Sequence, residues 1–151
     1  MSKCYQDLFE PITIGKLTIK NRFSMAPLGM VSMSDPYGGF TQKAQDYYVE
    51  RARGGTGLII TGVTNVNYNE VHPFAMPCAS YNPVWFMKTT APMNERIHAY
   101  DSRIFLQLTG GFGRVAMPLV MKDAIAPSPQ ENRWDPSIKH REMTREEIQE
   151  L

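Results

Sequence analysis

Cysteine is scarce here, long apolar runs are missing, and neither sign of charge dominates. The two cysteines, Cys4 and Cys78, stand far apart, form no C-x-x-C and have no histidine at zinc-ligand spacing. No disulfide framework or zinc site is therefore encoded, and two unpaired thiols are expected. The longest apolar stretches are a few residues, as in Gly57-Leu58-Ile59-Ile60, far short of the ~20 that cross a bilayer. Residues 1–10 have neither the basic nor the apolar region of a signal peptide, so a cytoplasmic protein is expected. The 16 basic and 15 acidic residues are interspersed and leave a net charge of +1. That balance argues against nucleic acid or a membrane surface as partner.

A hydrophobic content of 42% with 21% charged residues in 151 residues suits one soluble core. The ten methionines fit adaptable core filling. Ile12-Thr13-Ile14 and Leu17-Thr18-Ile19 alternate around Gly15-Lys16 and predict a hairpin with a type II′ turn. A first core strand, Phe23–Ala26, ends at Pro27. Thr41 is expected to cap a helix running to Arg53, with Ala44, Tyr47, Tyr48, Arg51 and Ala52 inward and Gly54 at C′. Gly57–Gly62 is a continuous apolar run, which suits a parallel strand covered on both faces. After a loop over 65–83, a helix is expected over Met93–Tyr100, beyond Pro92, with Met93, Ile97 and Tyr100 as its apolar face. A third strand, Arg103–Leu108, leads to the glycine-rich Thr109–Arg114 and a long loop with Pro118, Pro127, Pro129 and Pro136. Thr144 and Glu147 then form a capping box, and Ile148 and Leu151 open an apolar stripe where the sequence stops. The expectation is the N-terminal portion, residues 1–151, of an incomplete domain with no second domain.

Alternating strands and helices predict an α/β fold with right-handed crossovers. A doubly wound sheet places G-x-G-x-x-G after its first strand, but Ala26–Met30 reads Ala-Pro-Leu-Gly-Met. A TIM (β/α)8 barrel of roughly 250 residues is favoured, with this chain covering its first three βα units. Barrel sites form at the C-terminal strand ends. Those ends carry Ala26, Pro27, Leu28 and Gly29, then Thr61 and Gly62, then Gln107. Small residues let a flat ligand lie against the main chain. The Gln107 carboxamide pairs a donor with an acceptor, matching an imide-like edge.

Phe9-Glu10-Pro11-Ile12, Lys20-Asn21-Arg22, Met25-Ala26-Pro27, Tyr48–Gly55, Gly57–Ile60, Ile97–Tyr100 and Phe105–Leu108 together resemble the old yellow enzyme family over essentially the whole chain. That resemblance implies an FMN-dependent barrel that reduces activated C=C bonds with electrons from NAD(P)H. Gln107–Arg114 is most similar to the 2-enoate and dienoyl-CoA reductase branch, which implies FAD, a [4Fe-4S] cluster and further domains in a complete protein. By the same resemblance Ala26, Pro27, Leu28 and Gly29 line the flavin through their backbone, Gly62 approaches its carbonyl edge, and Gln107 bonds its pyrimidine edge. Two departures stand out: Gly29 replaces the Cys or Thr of several relatives, and glycines with one extra residue replace a Trp-His-Ala-Gly-Arg segment after Gln107. The proton donor, phosphate-binding loops and cluster cysteines are expected beyond Leu151, and this segment is expected to hold no metal.

Lesser candidates are weighed as structural. His98 suits a helix end, and His72 and His140 are expected to be solvated. Tyr37 and Trp134 are expected to pack or anchor their loops, while Arg114 serves an anionic substrate or an ion pair. Two functions stay open. One is an ene-reductase acting on a small unsaturated acid, enone or thioester. The other is a non-catalytic fragment, or one part of a split barrel, that needs the missing remainder or self-association.

Overall fold

The computed structural model describes residues 3–29, 31–66, 76–119, 121 and 123–150. His72 and Leu151, and the side chain of Cys4, lie outside the described residues. An antiparallel hairpin, β1 (Ile12–Ile14) with β2 (Leu17–Ile19), pairs Ile12 with Ile19. Gly15 turns it at φ 60, as a type II′ turn requires. The central sheet is parallel, in the order β3 (Ser24–Met25), β4 (Leu58–Asn65), β5 (Arg103–Thr109). Helix α1 (Gln42–Arg53) connects β3 to β4, and α2 (Pro83–His98) connects β4 to β5.

Both helices cover one face of the sheet. Tyr48, Val49 and Ala52 of α1 pack with Met93 and Ile97 of α2 over Ile59 of β4. Ile104 of β5 joins from the same side. Arg96 bonds Asp46 at 2.8 Å across the two helices. The pair is half-exposed and adds little to stability. Leu58 and Ile60 face the other side, in register with Arg103 and Phe105.

Several expectations shift in position. Thr41 caps α1 by accepting the Ala44 N–H, but the left-handed glycine is Gly55 (φ 100), not Gly54, which stays helical at φ −70. Gly55 N–H bonds Ala52 O and Thr56 N–H bonds Arg51 O, the paired bonds of a Schellman ending. The buried face of α1 also takes in Val49, while Tyr47 and Arg51 are only half-buried, the guanidinium stacked on the Tyr47 ring. Helix α2 starts ten residues before the expected Met93, at Pro83, with Asn82 accepting the Trp85 N–H. Pro83 sits at the first turn, where no N–H is needed. Pro92 lies in the interior, on an exposed side with Lys88, so water can take the carbonyl it leaves unbonded. Tyr100 falls beyond the helix and is exposed.

The proline-rich stretch after β5 is not a plain loop. It carries a second sheet in the order β6 (Ile125–Ala126), β8 (Lys139–Glu142), β7 (Gln130–Glu131). His140 belongs to β8 and is 2% exposed, which corrects the solvated reading. Asn132 explains it. Its Oδ1 accepts the Trp134 and Asp135 N–H groups, so its Nδ2 donates, to Ala116 O at 2.8 Å and to His140 Nε2 at 3.1 Å. His140 is thereby held as the Nδ1–H tautomer, and that buried nitrogen has no partner among the described residues.

Helix α3 (Arg145–Gln149) begins with the expected reciprocal capping box of Thr144 and Glu147. Arg141 bonds the Glu147 carboxylate and lowers its pKa to about 2, with the Thr144 N–H helping. The folded pKa is depressed, so this support is present above the usual glutamate range and lost as pH falls toward 2. Urea midpoints of the wild type and Glu147→Gln are therefore expected to converge as pH drops from about 5 to 2. Among the described residues no helix is long and apolar enough to cross a membrane.

Candidate active site

The centre of the site is an irregularity in β4. Ile60 pairs with Phe105 and Val63 with Gln107, so Thr61 and Gly62 together oppose the single residue Leu106. This is a β-bulge in a parallel pair, rare there and frequent beside active sites. Three hydrogen bonds fix it. The Gly62 N–H points outward to the Tyr48 hydroxyl at 2.9 Å. The Thr61 hydroxyl donates to Gly62 O at 2.8 Å and accepts the Gln107 N–H at 3.2 Å. Thr61 thus supplies from its side chain the acceptor that the interrupted ladder withdraws from β5.

Tyr48 is fully buried. Burial pushes its hydroxyl pKa up, so it stays protonated, accepting from Gly62 and donating to Met33 Sδ at 3.4 Å. Replacing Thr61 with valine keeps the volume and removes the acceptor for Gln107. A loss of about 1–3 kcal/mol is expected in denaturant unfolding of the complete protein.

The bulge brings β4 against the segment after β3. A Cβ placed on Gly62 would lie 2.5 Å from Leu28 O, 2.6 Å from Gly29 Cα and 2.8 Å from Gly29 N. Only glycine allows that approach. Ala26, Pro27, Leu28 and Gly29 are exposed, whereas Gly62 is buried behind them with its N–H already bonded. Gln107 is half-buried, and its carboxamide has no partner among the described residues. The structure therefore brings Leu28, Gly29 and Gly62 into contact and sets Gln107 on the neighbouring strand. Val63, not singled out in the sequence, is the register partner of Gln107 and has its Cγ2 3.6 Å from the Cβ position of Gly29. A bulge signal in residues 61–63 was needed to find it, and Thr-Gly inside an apolar run is only a faint one. Val63 and Thr109 also line a cavity of ≈ 170 Å³ at the C-terminal ends of β4 and β5.

The other candidates lie away from this crossing. Tyr37 packs edge-on against Trp85, whose Nε1 donates to Asp35. Trp134 Nε1 donates to Val115 O, anchoring its loop. His98 ends α2 exposed, and Arg114 is exposed. Cys78 is a buried free thiol.

A carboxamide without a partner among the described residues, beside exposed main chain and a side-chain-free strand crossing, fits the flat, imide-edged ring system of a flavin. Comparison with known proteins agrees. The model of the NADH:flavin oxidoreductase / NADH oxidase family matches residues 7–151. Cinnamate reductase of Clostridium sporogenes is 49% identical over 99% of this chain, which spans 23% of that protein. Among solved structures, morphinone reductase in complex with tetrahydroNAD aligns with TM-score 0.74 at 28% identity, covering 95% of this chain and 42% of its own. The old yellow enzyme homologue from Zymomonas mobilis aligns with TM-score 0.69 at 25% identity over 96% of this chain and 42% of its own. These structural neighbours are old yellow enzyme-type barrels, of which the present α/β sheet matches a part. The chain belongs to the NADH:flavin oxidoreductase / NADH oxidase family, the family of old yellow enzyme.

Proposed function

We propose that the complete protein is an FMN-dependent ene-reductase that uses NAD(P)H to reduce the activated C=C bond of a small unsaturated acid, enone or thioester. The carrying observation is the bulge at Thr61-Gly62, which seats Leu28–Gly29 against β4, beside a Gln107 carboxamide that has no partner among the described residues. When bound, FMN supplies the hydride chemistry. Ala26, Pro27, Leu28 and Gly29 offer main chain to the ring. Gly62 serves by lacking a side chain, and Val63 borders the ring beside Gln107. Gln107 gives a donor and an acceptor to the pyrimidine edge. Residues 1–151 then form the first three βα units of the barrel. The phosphate grip and proton donor come from beyond Leu151, as do FAD and the [4Fe-4S] cluster of the enoate reductase branch. The 49% identity to cinnamate reductase supports this reading. Gln107→Leu is expected to weaken FMN binding about 10–100-fold. A wild-type complete protein that takes up no FMN, or an unchanged affinity in the variant, overturns the assignment.

The sheet edges favour a second statement about the 151-residue chain by itself. Among the described residues β5 pairs only with β4, and Phe105, Leu106 and Leu108 are 47%, 37% and 61% exposed. Open apolar edges drive association. Expressed alone, this segment is expected to sediment as oligomers without flavin and to need the rest of the barrel for activity. A flavin-loaded monomer would contradict that. Intact mass of the source protein separates a 17.2 kDa product from a several-fold longer one.

A further inference from the structure

We propose that the Thr109 hydroxyl is a further catalytic group, donating a hydrogen bond to the oxygen conjugated with the substrate's C=C bond. This rests on the ene-reductase reading and adds the residue that polarises the substrate. The cavity at the C-terminal ends of β4 and β5, ≈ 170 Å³, is lined by Val63, Met76, Thr109, Phe112, Val115 and Met117 among others. Among the described residues, Thr109 has the one polar side chain in that lining. Its place follows from the strands. Val63 is the register partner of Gln107. Thr109 lies two residues beyond Gln107 on the same face of β5, about 7 Å further along. An unsaturated compound stacked beside the Gln107 edge and directed along the strands brings its oxygen to this hydroxyl.

The hydroxyl is fixed in place with its hydrogen left over. Thr109 pairs with Asn65 of β4, and its carbonyl accepts the Val66 N–H at 3.0 Å. Its β-branched side chain has few χ1 settings, and its oxygen accepts the Gly111 N–H at 3.2 Å. Accepting that bond occupies one lone pair and polarises the O–H, which strengthens it as a donor. Thr109 makes no other side-chain hydrogen bond among the described residues. The turn after it keeps the approach open. Gly111 has φ 87, a conformation that side chains rarely adopt, and Gly110 has no side chain to cover the hydroxyl. The Phe112 ring lies on Gly110, where an added Cβ would collide with it.

The reaction uses a donor at this position. When the β-carbon takes a hydride, the C=C electron pair moves to the α-carbon and onto the conjugated oxygen. A proton added at the α-carbon then restores the carbonyl. A donor already held beside that oxygen gains strength as the charge grows. Thr109 keeps its own proton throughout, so the α-proton still comes from the separate donor of the proposed reading.

The test uses the complete, flavin-loaded protein, reduced and then reoxidised by cyclohex-2-enone, by but-2-enoate or by dioxygen. Thr109→Val keeps the volume and removes the hydroxyl. It is expected to slow reoxidation by the unsaturated compounds on the order of 100-fold, and to leave the dioxygen rate within about 2-fold. Thr109→Ser keeps the donor and is expected within about 5-fold of wild type. Binding without turnover gives a second readout. Cyclohexanone, which has the oxygen but no C=C bond, is expected to bind the oxidised Thr109→Val protein about 10-fold more weakly than wild type. A purely structural loss, through the Gly111 bond and the seating of the flavin, would slow dioxygen and enone alike. Three results overturn the assignment while the ene-reductase reading stands: Thr109→Val as fast as wild type with both unsaturated compounds, Thr109→Val slowed equally toward dioxygen, or Thr109→Ser as slow as Thr109→Val. Reduced wild-type protein that neither unsaturated compound reoxidises overturns both.

Discussion

Gly62→Ala is expected to strip the flavin from the complete protein, raising the Kd for FMN by about 100-fold or more. The added methyl has nowhere to go, because the atoms it meets are the carbonyl of Leu28 and the Cα and N of Gly29. Main chain cannot rotate aside as a side chain can. Overpacking of this kind costs about 1–3 kcal/mol, at times more. Relief must come from lifting the 26–29 segment off β4, the same segment that presents its backbone to the ring. Gly29→Ala is the contrasting substitution. Its Cβ meets Val63 Cγ2 at 3.6 Å, an ordinary contact, so folding stability is expected within about 0.5 kcal/mol of wild type. FMN titration and thermal unfolding of both variants check the pair. Equal behaviour of the two would remove the crossing from the account.

Tyr48→Phe is the second large effect. It changes one atom outside the flavin face, yet it leaves the Gly62 N–H buried without an acceptor and Met33 without its donor. The expected loss is about 1–3 kcal/mol of stability, with FMN binding weakened about 10-fold as the bulge relaxes. The sign with pH is set by burial, which raises the folded pKa of the hydroxyl above the tyrosine value of 10.0. A raised folded pKa means the contribution is whole below that pH and lost above it. The difference between wild type and Tyr48→Phe is therefore expected to stay flat through neutral pH and shrink only above about pH 10. A difference that already varies near neutrality would assign the effect to another group.

How much was legible beforehand depends on whether the signal was local. The hairpin around Gly15, the Thr41 cap and the Thr144–Glu147 box each rest on residues a few positions apart, and each stands where the pattern put it. Gly54 and Gly55 are adjacent, so composition alone does not say which one takes the left-handed turn. The start of α2 was missed because Pro92 reads as a breaker, whereas its exposed side tolerates it. The β4 strand runs to Asn65 because its polar residues, Thr61, Thr64 and Asn65, are buried. An apolar-run criterion stops short of them. The second sheet consists of two-residue and four-residue strands in a proline-rich stretch, below any periodic signal. His140 looked solvated between Lys139 and Arg141, but strand alternation sends it inward while its neighbours face out.

The site divides in the same way. Pro27, Gly29, Gly62 and Gln107 were reached from strand ends and from family resemblance. The partners that arrange them, Tyr48, Thr61 and Val63, act through a register shift that no single segment records. The chain spans 23% of its cinnamate reductase relative, and the proposed reading assigns the phosphate grip and the proton donor to the remainder.

FMN titration of the flavin-stripped complete protein tests the central claim most directly, followed by absorbance in the wild type and in Gly62→Ala. The account predicts saturation at one FMN per barrel in the wild type and little binding in the variant. A wild-type protein that binds no FMN, or a Gly62→Ala protein that binds it as tightly, would contradict the assignment of this face.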